Sequence, residues 1–93
     1  MRYEFKPSFD RSAKSLPSGE KTEIIKLCLI FVDTIAGADA LSKGVGLKRL
    51  RGDYWEIRKG IRHRILLRWK GDLIEFVLAG SHNDISRYLK KME

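Results

Sequence analysis

The chain has 93 residues, enough for one domain over 1–93 and too few for two hydrophobic cores. Apolar residues make up 43% and charged residues 33%, which excludes a disordered or collagen-like chain. Nineteen Lys and Arg against twelve Asp and Glu give a net charge of +7, pointing to polyanionic partners. The longest apolar run, Leu27 to Val32, is too short to span a membrane. Met1 to Lys6 is too charged for a signal peptide, so a soluble cytoplasmic protein is expected. The single cysteine, Cys28, excludes an internal disulfide and a multi-cysteine zinc site.

In chain order, Tyr3 and Phe5 alternate with Arg2, Glu4 and Lys6, the period of a short strand that Pro7 ends. Ser8 is placed to cap a short helix through Leu16, with Phe9, Ala13 and Leu16 on one face. After Pro17, Ser18 is placed to cap a longer helix that stops at Gly37. Its residues Ile24, Leu27, Cys28, Phe31 and Ile35 follow the i, i+3, i+4, i+7 rule, and Ile25, Leu29 and Val32 widen the stripe. Residues 38 to 46 read as a loop. The period then changes: Tyr54 to Lys59, Arg62 to Trp69 and Leu73 to Ala79 read as three strands, with turns at Gly60 and at Lys70-Gly71-Asp72. In the second of these Ile65, Leu67 and Trp69 oppose Arg64, Leu66 and Arg68. In the third Ile74, Phe76 and Leu78 oppose Leu73, Glu75, Val77 and Ala79. Ser81 or Asn83 is placed to cap a last helix, Asp84 to Lys91, whose Lys90 and Lys91 suit its negative end.

The predicted order is β-α-α-β-β-β-α, an α+β fold with an antiparallel sheet and two N-terminal helices packed on one face. The opposite face then gathers Arg58, Arg64 and Arg68. The charge is uneven in the same sense. Ten basic residues lie between Lys43 and Lys70, opposed only by Asp53 and Glu56. The partner expected by chemistry is nucleic acid, with Lys48, Arg49, Arg51, Arg62, His63 and Arg68 as RNA-binding residues.

The motifs for other chemistries are missing. Two histidines, His63 and His82, without carboxylates at ligand spacing make no metal site, and no cofactor is expected. Gly44-Val45-Gly46 lacks a phosphate-loop ending, and no Gly-x-Ser-x-Gly elbow exists. Glu56, Arg58, Arg64, His82 and Tyr88 remain as a set suited to phosphate-ester chemistry without a metal. Histidine exchanges protons near neutral pH, and arginine holds phosphate with two hydrogen bonds. Each also has a plainer reading: Glu56 as an ion-pair partner of Arg58 or Arg64, Tyr88 as helix packing, His82 as a cap, and Trp55 and Trp69 as core. Cys28 sits mid-stripe and reads as buried and inert.

Three stretches, Leu47 to Arg58, Arg62 to Leu67 and Leu78 to Asp84, resemble the RelE/ParE toxin superfamily of bacterial toxin–antitoxin systems. The opening strand and two helices also fit, and Gly80 to Ile85 looks most like its YafQ branch. The resemblance implies a RelE-like microbial RNase fold and a metal-independent, ribosome-dependent endoribonuclease that cleaves mRNA. By position Arg64 resembles the family's phosphate-stabilising arginine. His82 falls where members carry an Arg or His, and Tyr88 where some carry a catalytic tyrosine. Arg58 and Glu56 lie on the strand that supplies lysines or a carboxylate. Leu67 departs from the family's Arg-x-x-Tyr element. A cognate antitoxin is the implied partner, in a heterotetramer or simpler complex. A ParE-type DNA gyrase inhibitor without RNase activity is the alternative on the same fold, and a simple nucleic-acid-binding domain a third.

Overall fold

The structure, a computed structural model, describes residues 1–37, 44–60 and 63–92. The elements are β1 (Arg2–Phe5), α1 (Pro7–Lys14), α2 (Ser18–Ala36), β2 (Val45–Arg51), β3 (Tyr54–Lys59), β4 (His63–Lys70), β5 (Leu73–Gly80) and α3 (His82–Lys91). Every predicted element is present, and β2 is added to them. The expected loop extended to residue 46, but the strand begins at Val45. Its sequence, Val-Gly-Leu-Lys-Arg-Leu-Arg, does not alternate. It is an edge strand, where basic side chains stand in solvent and no second neighbour demands apolar residues. The part of that loop over 38–43, and Arg62, lie outside the described residues.

The sheet order is β1-β5-β4-β3-β2. β2 to β5 form an antiparallel meander, while β1 runs parallel to β5, pairing Arg2 with Leu73 through Phe5 with Phe76. The last hairpin turns at Gly71, whose φ of 60° lies in the left-handed region that glycine enters without strain.

Helices α1 and α2 cover one face. Phe9, Ala13, Ile24, Leu27, Cys28, Phe31 and Val32 pack there on Ile57, Ile65, Leu67, Ile74, Phe76 and Ala79. The rings of Phe5 and Phe76 stack at 5.1 Å, and Phe31 meets Trp69 edge-on at 6.1 Å. Both tryptophans pack against this core, as expected. Helix α3 covers part of the other face, where Ile85 meets Leu66 and Val77.

The alternation predicted for β4 holds, and that for β5 breaks. Leu66 pairs with Leu78 and Leu67 with Phe76, so Val77 is an extra residue in β5. This bulge puts Val77 and Leu78 together under α3 and returns Ala79 to the larger core.

The helix starts also differ from expectation. Pro7 takes the first turn of α1, where its missing N–H costs nothing. The Ser8 hydroxyl instead donates to the Val77 carbonyl at 2.5 Å, and Ser12 accepts from the Ala79 N–H at 3.0 Å. One turn apart on α1, the two serines satisfy the β5 edge beyond the end of β1. Ser18 is the first residue of α2 and makes no side-chain cap. At α3 the prediction stands: Ser81 accepts from the Asp84 N–H at 3.2 Å, and Asp84 accepts from the Ser81 N–H at 2.9 Å. This reciprocal pair is a capping box.

Candidate functional site

Strand register assembles the first part of the site. Arg58 pairs with Gly46 on one side and Arg64 on the other, and Arg64 pairs with Gly80. Two arginines therefore stand side by side in one row of the sheet, between two residues without side chains. A Cβ at residue 46 would lie 3.1 Å from Arg58 Nε, and one at residue 80 would lie 2.6 Å from Asp84 Oδ2. The glycines keep open the space that the guanidinium and the first turn of α3 occupy.

Glu56 lies next to this row, two residues before Arg58 on the same face. It is 3% exposed, the one buried charged side chain among the described residues. A carboxylate so placed is costly unless paired, and its Oε1 accepts from Arg64 Nη1. Arg64 is itself mostly covered, with 20% of its side chain exposed. The plainer reading of Glu56 as an ion-pair partner is thus realised, and its effect is to fix the Arg64 guanidinium. Lys48, exposed, pairs in register with Glu56 and adds a positive charge on β2 next to the arginine row.

His82 is two residues beyond Gly80, exposed in the first turn of α3. Gly80 is the register partner of Arg64, so His82 stands at the same end of the sheet as the two arginines. Asp84 in this turn is held below the usual carboxylate range by the Ser81 N–H first, then by the Ser81 hydroxyl and Arg87.

Tyr88 lies further along the same helix. It lies six residues along α3 from His82, about 9 Å at the helical rise, and lines a different groove. This groove, about 470 Å³, is bounded by Lys6, Ser8 and Arg11 on one side and Tyr54, Arg68, Glu75 and Tyr88 on the other. Glu75 takes Lys6 Nζ at 3.2 Å and Arg68 Nη1 at 3.3 Å. Tyr54, the register partner of Arg68, has its phenol raised above the ordinary range by burial foremost. Arg68, expected beside Arg58 and Arg64, belongs to this end of the sheet.

The remaining predicted contacts divide between the faces. Arg51 reaches α3 and donates to the Leu89 carbonyl at 3.0 Å. Arg49 faces the other way, its guanidinium carbon 5.9 Å from the centroid of the Trp55 ring. His63 also lies on the α2 side, with Nε2 3.6 Å from Glu20 Oε1. Neither can share a ligand with Arg64 across the sheet. Gly46, Gly80, Lys6, Arg11, Tyr54 and Glu75 are the site-forming residues that sequence reasoning missed. Only strand register and the crossing of α1 over β5 bring them in. Cys28 is buried in the core, its thiol pushed up by desolvation. Among the described residues no cluster of three His, Cys, Asp or Glu could hold a metal, and no described helix is long and apolar enough to cross a membrane.

No protein-family model and no curated protein matches the sequence. Solved structures do match in shape. A metal-bound toxin from Helicobacter pylori superposes with a TM-score of 0.68 at 19% identity, covering 91% of this chain and 98% of its own. A copper-bound mutant toxin from the same organism gives 0.61 at 16% identity, again over 91% and 98%. The RelB–RelE antitoxin–toxin complex from Methanococcus jannaschii gives 0.60 at 23% identity, over 90% and 95%. The mixed sheet with two N-terminal helices on one face and a C-terminal helix on the other is therefore a RelE-like toxin fold.

Proposed function

We propose that this chain is the toxin of a toxin–antitoxin system and cleaves mRNA on the ribosome in the cytoplasm. The observation that carries the reading is the Arg58–Arg64 row, with Arg64 fixed by buried Glu56 and His82 at the same end of the sheet, at the start of α3. The RelE-like fold adds support. In this reading the two guanidinium groups hold the non-bridging oxygens of one phosphate. Their charge offsets what builds there as the bond order changes. The 2′-oxygen loses its proton and attacks phosphorus, the bond from phosphorus to the 5′-oxygen breaks, and the departing oxygen gains a proton. The products are a 2′,3′-cyclic phosphate and a 5′-hydroxyl. His82 is the group at this end of the sheet suited to one of the two proton transfers. Glu56 is engaged with Arg64 and serves to aim it.

An antitoxin would hold such an activity in check. Leu29 and Ile30 on the outer side of α2 are 38% and 49% exposed, and they offer apolar contact to a partner segment. An acidic segment suits the +7 charge of the chain.

The test is purified protein with ribosomes and mRNA, followed by mapping of 5′ ends. Wild type is expected to cut only with ribosomes present, and Arg64→Ala and His82→Ala to lose about 10²-fold or more in rate. Undiminished cutting by both variants would remove the site assignment. Supercoiling inhibition without any RNA cleavage would select the gyrase inhibitor instead.

A further inference from the structure

The groove at the far end of α3 has no part in the chemistry above, yet it is a built concavity. Its walls come from three separate places: the β1–α1 junction with α1, strands β3 to β5 of the sheet, and α3. Three cations line it, Lys6, Arg11 and Arg68, against one carboxylate. That carboxylate, Glu75, has 15% of its side chain exposed and grips both Lys6 and Arg68, which fixes two of the positive groups in place. Two phenol rings, Tyr54 and Tyr88, face the same space. Fixed cations beside aromatic faces are the combination that holds a single-stranded nucleotide: the backbone on the charges, the base on the rings. A volume of about 470 Å³ is ample for one nucleotide.

Its position relative to the arginine row gives the second argument. Arg64 and Arg68 lie four residues apart on β4 and on the same face, about 13 Å at the rise of a strand. Between them α3 sits on Leu66, so the direct line is blocked. Lys48 and Arg51 continue the positive charge along the β2 side of α3. A strand of RNA can follow that margin from one end to the other.

We infer that the Lys6–Arg11–Tyr54–Arg68–Tyr88 groove is a second subsite, which binds a nucleotide two or three positions away from the one held by Arg58 and Arg64. The inference rests on the RNase reading for its substrate class. It assigns Tyr88 to holding a neighbouring nucleotide rather than to the reacting phosphate. Glu75 is a positioning residue for Lys6 and Arg68.

Binding of a fully 2′-O-methylated RNA hexamer, which cannot be cleaved, tests the subsite apart from the reaction. Arg11 is exposed on α1, so Arg11→Ala leaves the fold intact. It should weaken the hexamer about five-fold and lower the dependence of log affinity on log salt by about 0.7. Tyr54→Leu keeps the apolar packing and removes the ring. It should weaken binding by about five-fold or more at every salt concentration, with the salt slope unchanged. Arg64→Ala combined with Arg11→Ala should give losses that multiply.

No effect of Tyr54→Leu would overturn the subsite, because the surface would then act through charge alone. Polyglutamate competing as well as RNA and responding to the same variants would overturn it in favour of an acidic peptide. Hexamer binding with the expected variant pattern, in a protein that cuts no mRNA on ribosomes, would uphold the subsite and sink the RNase reading. Ribosome-dependent cutting with hexamer binding indifferent to Arg11 and Tyr54 would do the reverse.

Discussion

The two faces of the sheet are built differently. Among the described residues, thirteen buried side chains form one continuous core between the sheet and α1 and α2, whereas the buried cluster between the sheet and α3 is Leu66, Val77 and Ile85. The first face is closed and apolar. The second carries Glu56, Arg58, Arg64, Arg68 and Glu75 along its strands, with a short helix across the middle. Like charges in adjacent strands repel, so a face of this kind needs support from elsewhere. The opposing core supplies it. Stability and charge are thereby separated by the thickness of a single sheet, and substitutions on the two faces should have different consequences.

The largest expected effect lies in the closed face. Phe76 is fully buried, stacked on Phe5 and tilted against Phe9, so Phe76→Ala should cost about 3–5 kcal/mol in urea unfolding. Ile85→Ala, on the inner side of α3, should cost about 2 kcal/mol, since the helix can shift to fill the space. Equal losses for the two would break the distinction between the faces.

Next in size is the ion pair on the open face. Glu56→Ala leaves a mostly covered Arg64 without its partner and should cost about 3 kcal/mol. Glu56→Gln keeps an acceptor for the guanidinium and should restore at least half of that loss. A thermal or urea series on the two variants checks it. If Ala and Gln prove equally mild, Arg64 is not held by this residue.

These two sites also mark how far the sequence could be read. The core was legible because α2 repeats its apolar residues at helical spacing and β4 alternates cleanly, from Arg64 to Trp69. The separation of arginines from core followed from that alternation. Three things were not legible. β2 lies at an edge, where Lys48, Arg49 and Arg51 satisfy no buried pattern. The bulge at Val77 shifts which of Val77, Leu78 and Ala79 faces α3, and a period of two contains no signal for it. The membership of the site depends on register: Arg64 beside Arg58 but Tyr88 beside Arg68 is decided by pairings between distant strands and by the angle of α3. The resemblance to RelE-like toxins anticipated the fold. The division of the predicted residues into a row and a groove follows from strand register and from the placing of α3 on the sheet.

A smaller effect should appear at Gly46, again on the open face. A side chain there meets the flexible end of Arg58 rather than backbone, so the fold can adjust by moving the guanidinium. Gly46→Val should leave urea stability within about 1 kcal/mol of wild type, valine being at home in a strand. The same change should weaken RNA-hexamer binding several-fold by displacing Arg58 from its place beside Arg64. Unchanged affinity would mean that the row is not where the phosphate rests.

The smallest effect concerns the attachment of α3 and its dependence on pH. Asp84 has its folded pKa depressed, through the Ser81 N–H before any other partner. A depressed carboxyl contributes stability above its unfolded pKa, and that contribution fades as pH falls through the lower folded value. The side chain is 42% exposed, so water screens much of the gain and the loss is local. Between about pH 5 and pH 2, amides of α3 should therefore lose protection from hydrogen exchange before those of α2. Asp84→Asn should flatten that dependence without altering the amides under the larger core. Simultaneous loss in both helices would mean that α3 is bound into one cooperative unit with the closed face, and that the open face has no independent weakness for acid to reach.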